Sequence, residues 1–157
     1  MSQMTNKGLL LFALAIVLTA CNGISLNVSA TATPDPCGIE NIDAYIEEAE
    51  QISNRYDDIR DLAVSAPWTD LPPIVSDMQK IQQDAEDLET PDCPEIRAAQ
   101  DALVDSLDAD ISVFLKFMED ADADISEELS LGNETFRILG LRVEELKSLR
   151  QAKELAD

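Results

Sequence analysis

The sequence predicts an all-α domain, an up-down antiparallel four-helix bundle, behind a signal peptide and a flexible linker. Three observations lead there. From Ile39 onward the apolar residues recur in steps of three and four, the spacing of one helix face. No stretch of that region alternates with the period of two that a strand needs. The breaks between periodic segments are short, and short connections favour antiparallel neighbours.

The expected boundaries are 1–20 for the signal peptide, 21–36 for the linker and 37–157 for the bundle. Within the bundle, helices are expected at about 39–65, 71–89, 94–131 and 133–155. The linker "NGISLNVSATATPDP" is small, polar and proline-terminated, which is tether composition. Helix one carries Ile42, Ile46, Ala49, Ile52, Tyr56, Ile59 and Ala63 on one face. Tyr45 and Tyr56 read as core-edge residues. "APWTDLPP" then breaks the pattern, and Asp70 or Thr69 can cap a second helix whose first turn holds prolines. That helix presents Leu71, Ile74, Met78, Ile81, Ala85 and Leu88. "TPDCPE" ends it and starts the third, with Asp92 as a cap and Pro94 near the first helical position. Helix three reads Ile96, Ala99, Leu103, Leu107, Ile111, Phe114, Met118, Ala121, Ile125 and Leu129. Gly132-Asn133 is a stop followed by a new cap. Helix four then carries Phe136, Leu139, Val143, Leu146 and Leu149, with Gly140 as a place for a close neighbour.

Three cysteines divide by position. Cys37 precedes helix one and Cys93 follows helix two, so an antiparallel hairpin brings them to one end, within the ~4.4–6.8 Å between Cα atoms that a disulfide needs. A Cys37–Cys93 bridge is therefore favoured over free thiols or intermolecular pairing. Two isolated cysteines and no histidine do not fill a zinc shell.

Cys21 stands elsewhere. Residues 1–7 are polar with one positive charge, residues 8–18 form an apolar run, and Thr19-Ala20 are small: the three regions of a secretory signal. As a helix, residues 8–20 would rise only about 20 Å against a hydrocarbon core of roughly 30 Å, too short to span comfortably. Leu18-Thr19-Ala20-Cys21 resembles the lipobox of bacterial lipoproteins. The resemblance implies cleavage between Ala20 and Cys21, diacylglycerol on the Cys21 thiol, and an N-acyl group on the new amino terminus. It implies no other cofactor, and it covers only the first two dozen residues. Two or more acyl chains suffice for stable anchoring where one is marginal. The expected location is the extracytoplasmic face of the cell membrane, or the outer membrane in a host that has two. An exported domain also sits where disulfides persist.

The charge excludes several partners. Acidic residues number 32 and basic residues 11, for a formal charge of −21. Nucleic-acid binding rests on Lys and Arg neutralising phosphates, and this surface has the opposite sign. An anionic bilayer would repel it too, so membrane contact is expected through Cys21 alone. Without histidine there is no histidine triad, no di-iron Glu-x-x-His set and no c-type haem attachment. No phosphate loop, dinucleotide fingerprint or nucleophile elbow is present.

Two acidic features need a reading. In "EDADADISEE", Asp120, Asp122 and Asp124 mimic the first ligands of a calcium loop. Ile125 stands where the loop needs glycine, though, and Leu131 where it needs glutamate. The favoured reading is a solvated helix face. "DADIS" occurs at 108–112 and again at 122–126, which predicts similar helix faces for both copies. Residues 95–131 hold 11 acidic and 2 basic side chains, whereas residues 133–157 hold 5 of each. Arg137, Arg142, Lys147, Arg150 and Lys153 thus make helix four comparatively basic, most simply to offset acidic neighbours. Arg137, Arg142, Lys147 and Arg150 are also candidate partner contacts. Trp68, the sole tryptophan, is read as a plug at the end of the core, with a contact residue as the rival.

The expectation is a non-enzymatic, membrane-tethered lipoprotein with an interaction or structural role in the cell envelope, its partner an envelope protein. The alternative is a helical module on the cell surface that binds a cation or small ligand.

Overall fold

The computed structural model describes residues 34–156, and within them the chain is helical without a strand. Helix α1 spans Ile39–Ser65, α2 Leu71–Glu86, α3 Pro94–Glu119 and α4 Ser126–Glu154, with a single 3₁₀ turn at Trp68–Asp70 between α1 and α2. The leader, Ala20, Cys21 and most of the linker lie outside the described residues. Among the described residues, no helix is long and apolar enough to cross a membrane.

The start of the domain lies earlier than the sequence implied. Asp35 and Pro36, read as the last of the linker, belong to the fold. The Asp35 carbonyl accepts the Gly38 N–H at 2.9 Å and its Oδ1 accepts the Cys37 N–H at 3.0 Å. Asn41 Nδ2 donates to the carbonyls of Asp35 and Pro36 at 3.0 and 3.2 Å. These bonds set the entry into α1, whose stripe of Ile42, Tyr45, Ile52, Tyr56 and Ala63 is buried.

Asp70 occupies the N-cap position of α2, but neither it nor Thr69 caps through its side chain; the Thr69 hydroxyl donates to Asp70 Oδ1 instead, at 3.1 Å. The prolines that follow make up for this, since their fixed φ suits the first turn and they have no N–H to satisfy. Cys93, not Asp92, stands at the N-cap of α3, with Pro94 opening the helix; Asp92 forms an ion pair with Arg97 at 2.8 Å.

Neighbouring helices pack on one another: α1 on α2, α2 on α3, and α3 most extensively on α4, with smaller contacts from α1 to α3 and α4. Two apolar clusters result. The larger joins Ile52, Tyr56, Val75, Met78, Leu103, Leu107 and Ile111 across α1, α2 and α3. The smaller sits beside the cysteines and holds Ile42, Tyr45, Cys93, Ile96, Ala99 and Leu146. Each fully buried Leu or Ile contributes roughly 1.5–3 kcal/mol. Helix α3 is buried on two sides, including Ala102, Ser106, Ala109 and Asp110; the small residues let its neighbours approach closely.

The third and fourth helices differ from expectation. α3 stops at Glu119 rather than near residue 131, and α4 begins at Ser126 rather than 133. Asp120 Oδ1 accepts the Asp122 N–H at 3.0 Å, and Asp124 Oδ1 accepts the Ser126 N–H at 3.0 Å. Such short-range acceptors offer the backbone an alternative to the helix ladder. The acidic stretch is therefore a turn, not a helix face. The two copies of "DADIS" also diverge, the first helical with Asp110 buried, the second forming that turn. Gly132-Asn133 does not stop the chain. A glycine within a helix costs only about 1 kcal/mol relative to alanine, and packing of α4 on α3 outweighs it. Gly140 receives no close neighbour: a Cβ there would meet nothing within 4 Å. Helix two ends at Glu86, slightly before the expected 89.

Candidate functional site

One end of the domain is tied covalently. Cys37 and Cys93 form a disulfide with Cα atoms 5.0 Å apart, joining the entry of α1 to the start of α3. Glu95 Oε2 lies 3.3 Å from the Cys93 sulfur and 3.5 Å from that of Cys37. With both sulfurs in the bridge, this trio offers a metal only the Glu95 carboxylate. Helix α4 is tied to the same end by charge. Arg150 pairs with Asp43 on α1, and Lys153 Nζ lies 2.6 Å from Asp35 Oδ2. The arginine holds the Asp43 carboxyl below its usual range; Lys153, with help from the Cys37 N–H, does the same for Asp35. A cleft of about 760 Å³ opens here, lined by Pro34, Asp35, Gly38, Ile39, Glu40, Asn41, Lys153 and Ala156. Its one cation is paired with Asp35.

A pH dependence follows from the two carboxyls. Their folded-state pKa values lie below the unfolded ones, so their stabilisation is complete above the unfolded value and disappears as pH falls through the folded value. Both are exposed, so each contribution is small. Melting curves between about pH 5 and pH 2.5 are expected to show a smaller acid-induced loss for Asp35→Asn/Asp43→Asn than for the wild type. Equal losses would mean these pairs do not hold α4.

The opposite end gathers the C-terminal turns of α1 and α3 and the start of α4. Trp68 does not plug the core. It is 52% exposed, and its indole N–H donates to the Phe117 carbonyl at 3.3 Å, pinning the ring to the last turn of α3. Lys116 Nζ bridges to Glu128 Oε1 at 2.6 Å, tying α3 to α4 across the acidic turn. The ammonium lowers the Glu128 carboxyl, and Glu128 raises Lys116 in return. The Ser126 hydroxyl and N–H together lower Asp124. Asp120 and Asp124 each use an oxygen on a backbone N–H, and Asp122 is exposed.

The basic residues of α4 separate into two groups. Arg150 and Lys153 offset acidic residues elsewhere in the domain, Asp43 and Asp35, and Arg150 also pairs with Glu154 of its own helix at 2.8 Å. Arg137, Arg142 and Lys147 instead pair within their own helix, with Glu134, Glu145 and Glu144 at 2.6, 2.7 and 3.3 Å. All three pairs lie at the surface, where such contacts contribute about 0–1 kcal/mol.

Between the two ends lies a polar group that the sequence did not disclose. Asp110 on α3 accepts the Tyr56 hydroxyl at 3.1 Å and Arg60 Nε at 2.8 Å. Its side chain is 9% exposed, against 41% for Arg60. Burial and the Asp110 charge both push the Tyr56 phenol upward, so it stays a neutral donor. Asp110 is one of 32 acidic residues; its only mark in the sequence is its place beside Ile111 on the inward side of α3. Tyr45 is buried as well, with no partner for its hydroxyl among the described residues, and burial raises its phenol, with the Asp101 charge adding to the shift.

No family model, curated protein or solved structure matches the chain. The described residues offer a disulfide-bridged end and a far end with an exposed tryptophan and an acidic turn.

Proposed function

We propose that this is an extracytoplasmic lipoprotein, anchored in the bacterial cell membrane through lipid on Cys21, with a non-catalytic interaction or structural role in the envelope. The observation that carries this reading is the Cys37–Cys93 bridge. Disulfides persist in oxidising compartments and are rare where glutathione and thioredoxin keep thiols reduced. A bridged domain behind an apolar leader that ends in Leu-Thr-Ala-Cys fits export, and the leader supplies both route and anchor.

In the same reading the four helices run up, down, up and down. Support comes from both ends: the disulfide and the Arg150 and Lys153 pairs gather α1, α3 and α4 near Cys37, while the Trp68–Phe117 and Lys116–Glu128 contacts gather them beyond Ser65. Fourteen residues, 22 to 35, reach about 50 Å when extended.

Fatty-acid labelling in the native host tests the anchor. Cys21→Ser is expected to abolish incorporated label and leave unprocessed precursor. Continued labelling of that variant would refute the proposal.

A further inference from the structure

The bridge carries a charge against it. Glu95 Oε2 stands 3.3 Å from the Cys93 sulfur and 3.5 Å from that of Cys37. Both sulfurs are in the disulfide and have no hydrogen to donate, so the contact is a carboxylate set directly against the S–S bond. Glu95 lies in the first turn of α3, where the helix dipole favours a negative charge. The cations around it are taken by other carboxylates. Lys153 pairs with Asp35, and Arg97, two residues beyond Glu95, pairs with Asp92. Arg150 is held by Asp43 and Glu154. Glu144 and Glu145, which line a cleft together with Glu95, have Lys147 and Arg142 as partners. Glu95 makes no ion pair among the described residues, so its charge falls on the sulfurs.

We propose that Glu95 is a charge gate on the Cys37–Cys93 bridge, slowing its reduction by anionic thiols. Exchange begins when a thiolate attacks one sulfur of a disulfide. Cys93 is fully buried and Cys37 only half-buried, so Cys37 receives the attack and Cys93 leaves. A bond forms between the incoming sulfur and Cys37, the old S–S bond breaks, and its electron pair departs on Cys93 as a thiolate. A second thiolate of the reductant then displaces Cys37 from the mixed disulfide and is itself oxidised to a disulfide. Negative charge thus arrives and departs beside Glu95. A like charge about 4 Å away slows such a step about fivefold in water-like surroundings, and more where solvent is excluded. The gate acts on the bridge alone, so it can fail while lipid attachment at Cys21 holds.

The experiment uses the full chain carrying Cys21→Ser, which removes the one thiol that could attack the bridge from within. Reduction is followed by alkylation and mass spectrometry, with rates expressed per thiolate. The reductants are mercaptoacetate, which is anionic, cysteamine, whose ammonium cancels the thiolate charge, and a neutral phosphine. Glu95→Gln is expected to raise the mercaptoacetate rate at least about fivefold and to narrow the ratio of cysteamine to mercaptoacetate rates. Glu95→Lys raises the mercaptoacetate rate further. The phosphine, which brings no charge to the sulfur, reduces the parent and Glu95→Gln at similar rates. Glu127→Gln removes one charge at the other end of the domain and leaves every rate unchanged. A mercaptoacetate rate that stays the same in both Glu95 variants would overturn the proposal. So would an acceleration by the phosphine as large as that by mercaptoacetate, the mark of a loosened fold. An equal effect of Glu127→Gln, the mark of net charge alone, would overturn it as well.

Discussion

Replacing both Cys37 and Cys93 with alanine is expected to lower stability by about 4 kcal/mol and the melting temperature by roughly 10–20 °C. The bridge closes a loop 56 residues apart in sequence, containing all of α1 and α2. Without it the unfolded chain regains the freedom of that loop, which is the source of the figure in the chain-entropy treatment. Alanine suits the test because Cys93 is fully buried, and serine there would bury an unpaired hydroxyl. Reducing the wild-type protein should give the same fall. The larger apolar cluster does not include the bridge, so circular dichroism of the variant at low temperature should remain helical. A fall of only a degree or two would show that the contacts around Arg150 and Lys153 already fix that end.

Asp110→Ala is expected to cost about 2–3 kcal/mol, measured by urea denaturation. The substitution deprives the buried Tyr56 hydroxyl of its closest acceptor, leaving only the Leu107 carbonyl at 3.5 Å. It also removes the one buried carboxylate that faces Arg60. The figure lies below the ~3–5 kcal/mol of a fully buried pair because Arg60 is 41% exposed and turns to solvent when released. Asp110→Asn keeps an acceptor for Tyr56 and should fall between the two. In a double-mutant cycle, Tyr56→Phe combined with Asp110→Ala is expected to be less damaging than the sum of the two single changes. Strict additivity would mean that the hydroxyl and the carboxylate do not act together.

The fold was legible where one physical signal dominated. α1 and the start of α2 follow from an unbroken apolar stripe that ends at the Ala66-Pro67 break, and from prolines placed where a helix accepts them. The cysteine pair was legible because a hairpin of two helices leaves its outer ends together. The boundary between α3 and α4 was not. Ala121 and Ile125 extend the apolar period across the acidic stretch, while the helix is ended there by Asp120 and Asp124 bonding to nearby N–H groups. Periodicity records which face would be buried, not which local hydrogen bond wins. Gly132 misled in the opposite sense, since its penalty is small beside the packing of α4 on α3. Trp68 was misjudged because a tryptophan has an apolar body and a polar edge; the edge binds Phe117 and the body stays half in water. Asp110 was hidden by composition. Of the candidate site residues, only Cys21 stands in a readable motif, and it lies outside the described residues.

The anchor and the compartment stand or fall with the chemical form of the native amino terminus. Mass spectrometry of the polypeptide purified from its own membranes answers this in one step. The expected product begins at Cys21, carries diacylglycerol on sulfur and an acyl group on nitrogen, and lacks residues 1–20. A chain that retains Met1–Ala20, or one that begins at Cys21 without lipid, would contradict the assignment.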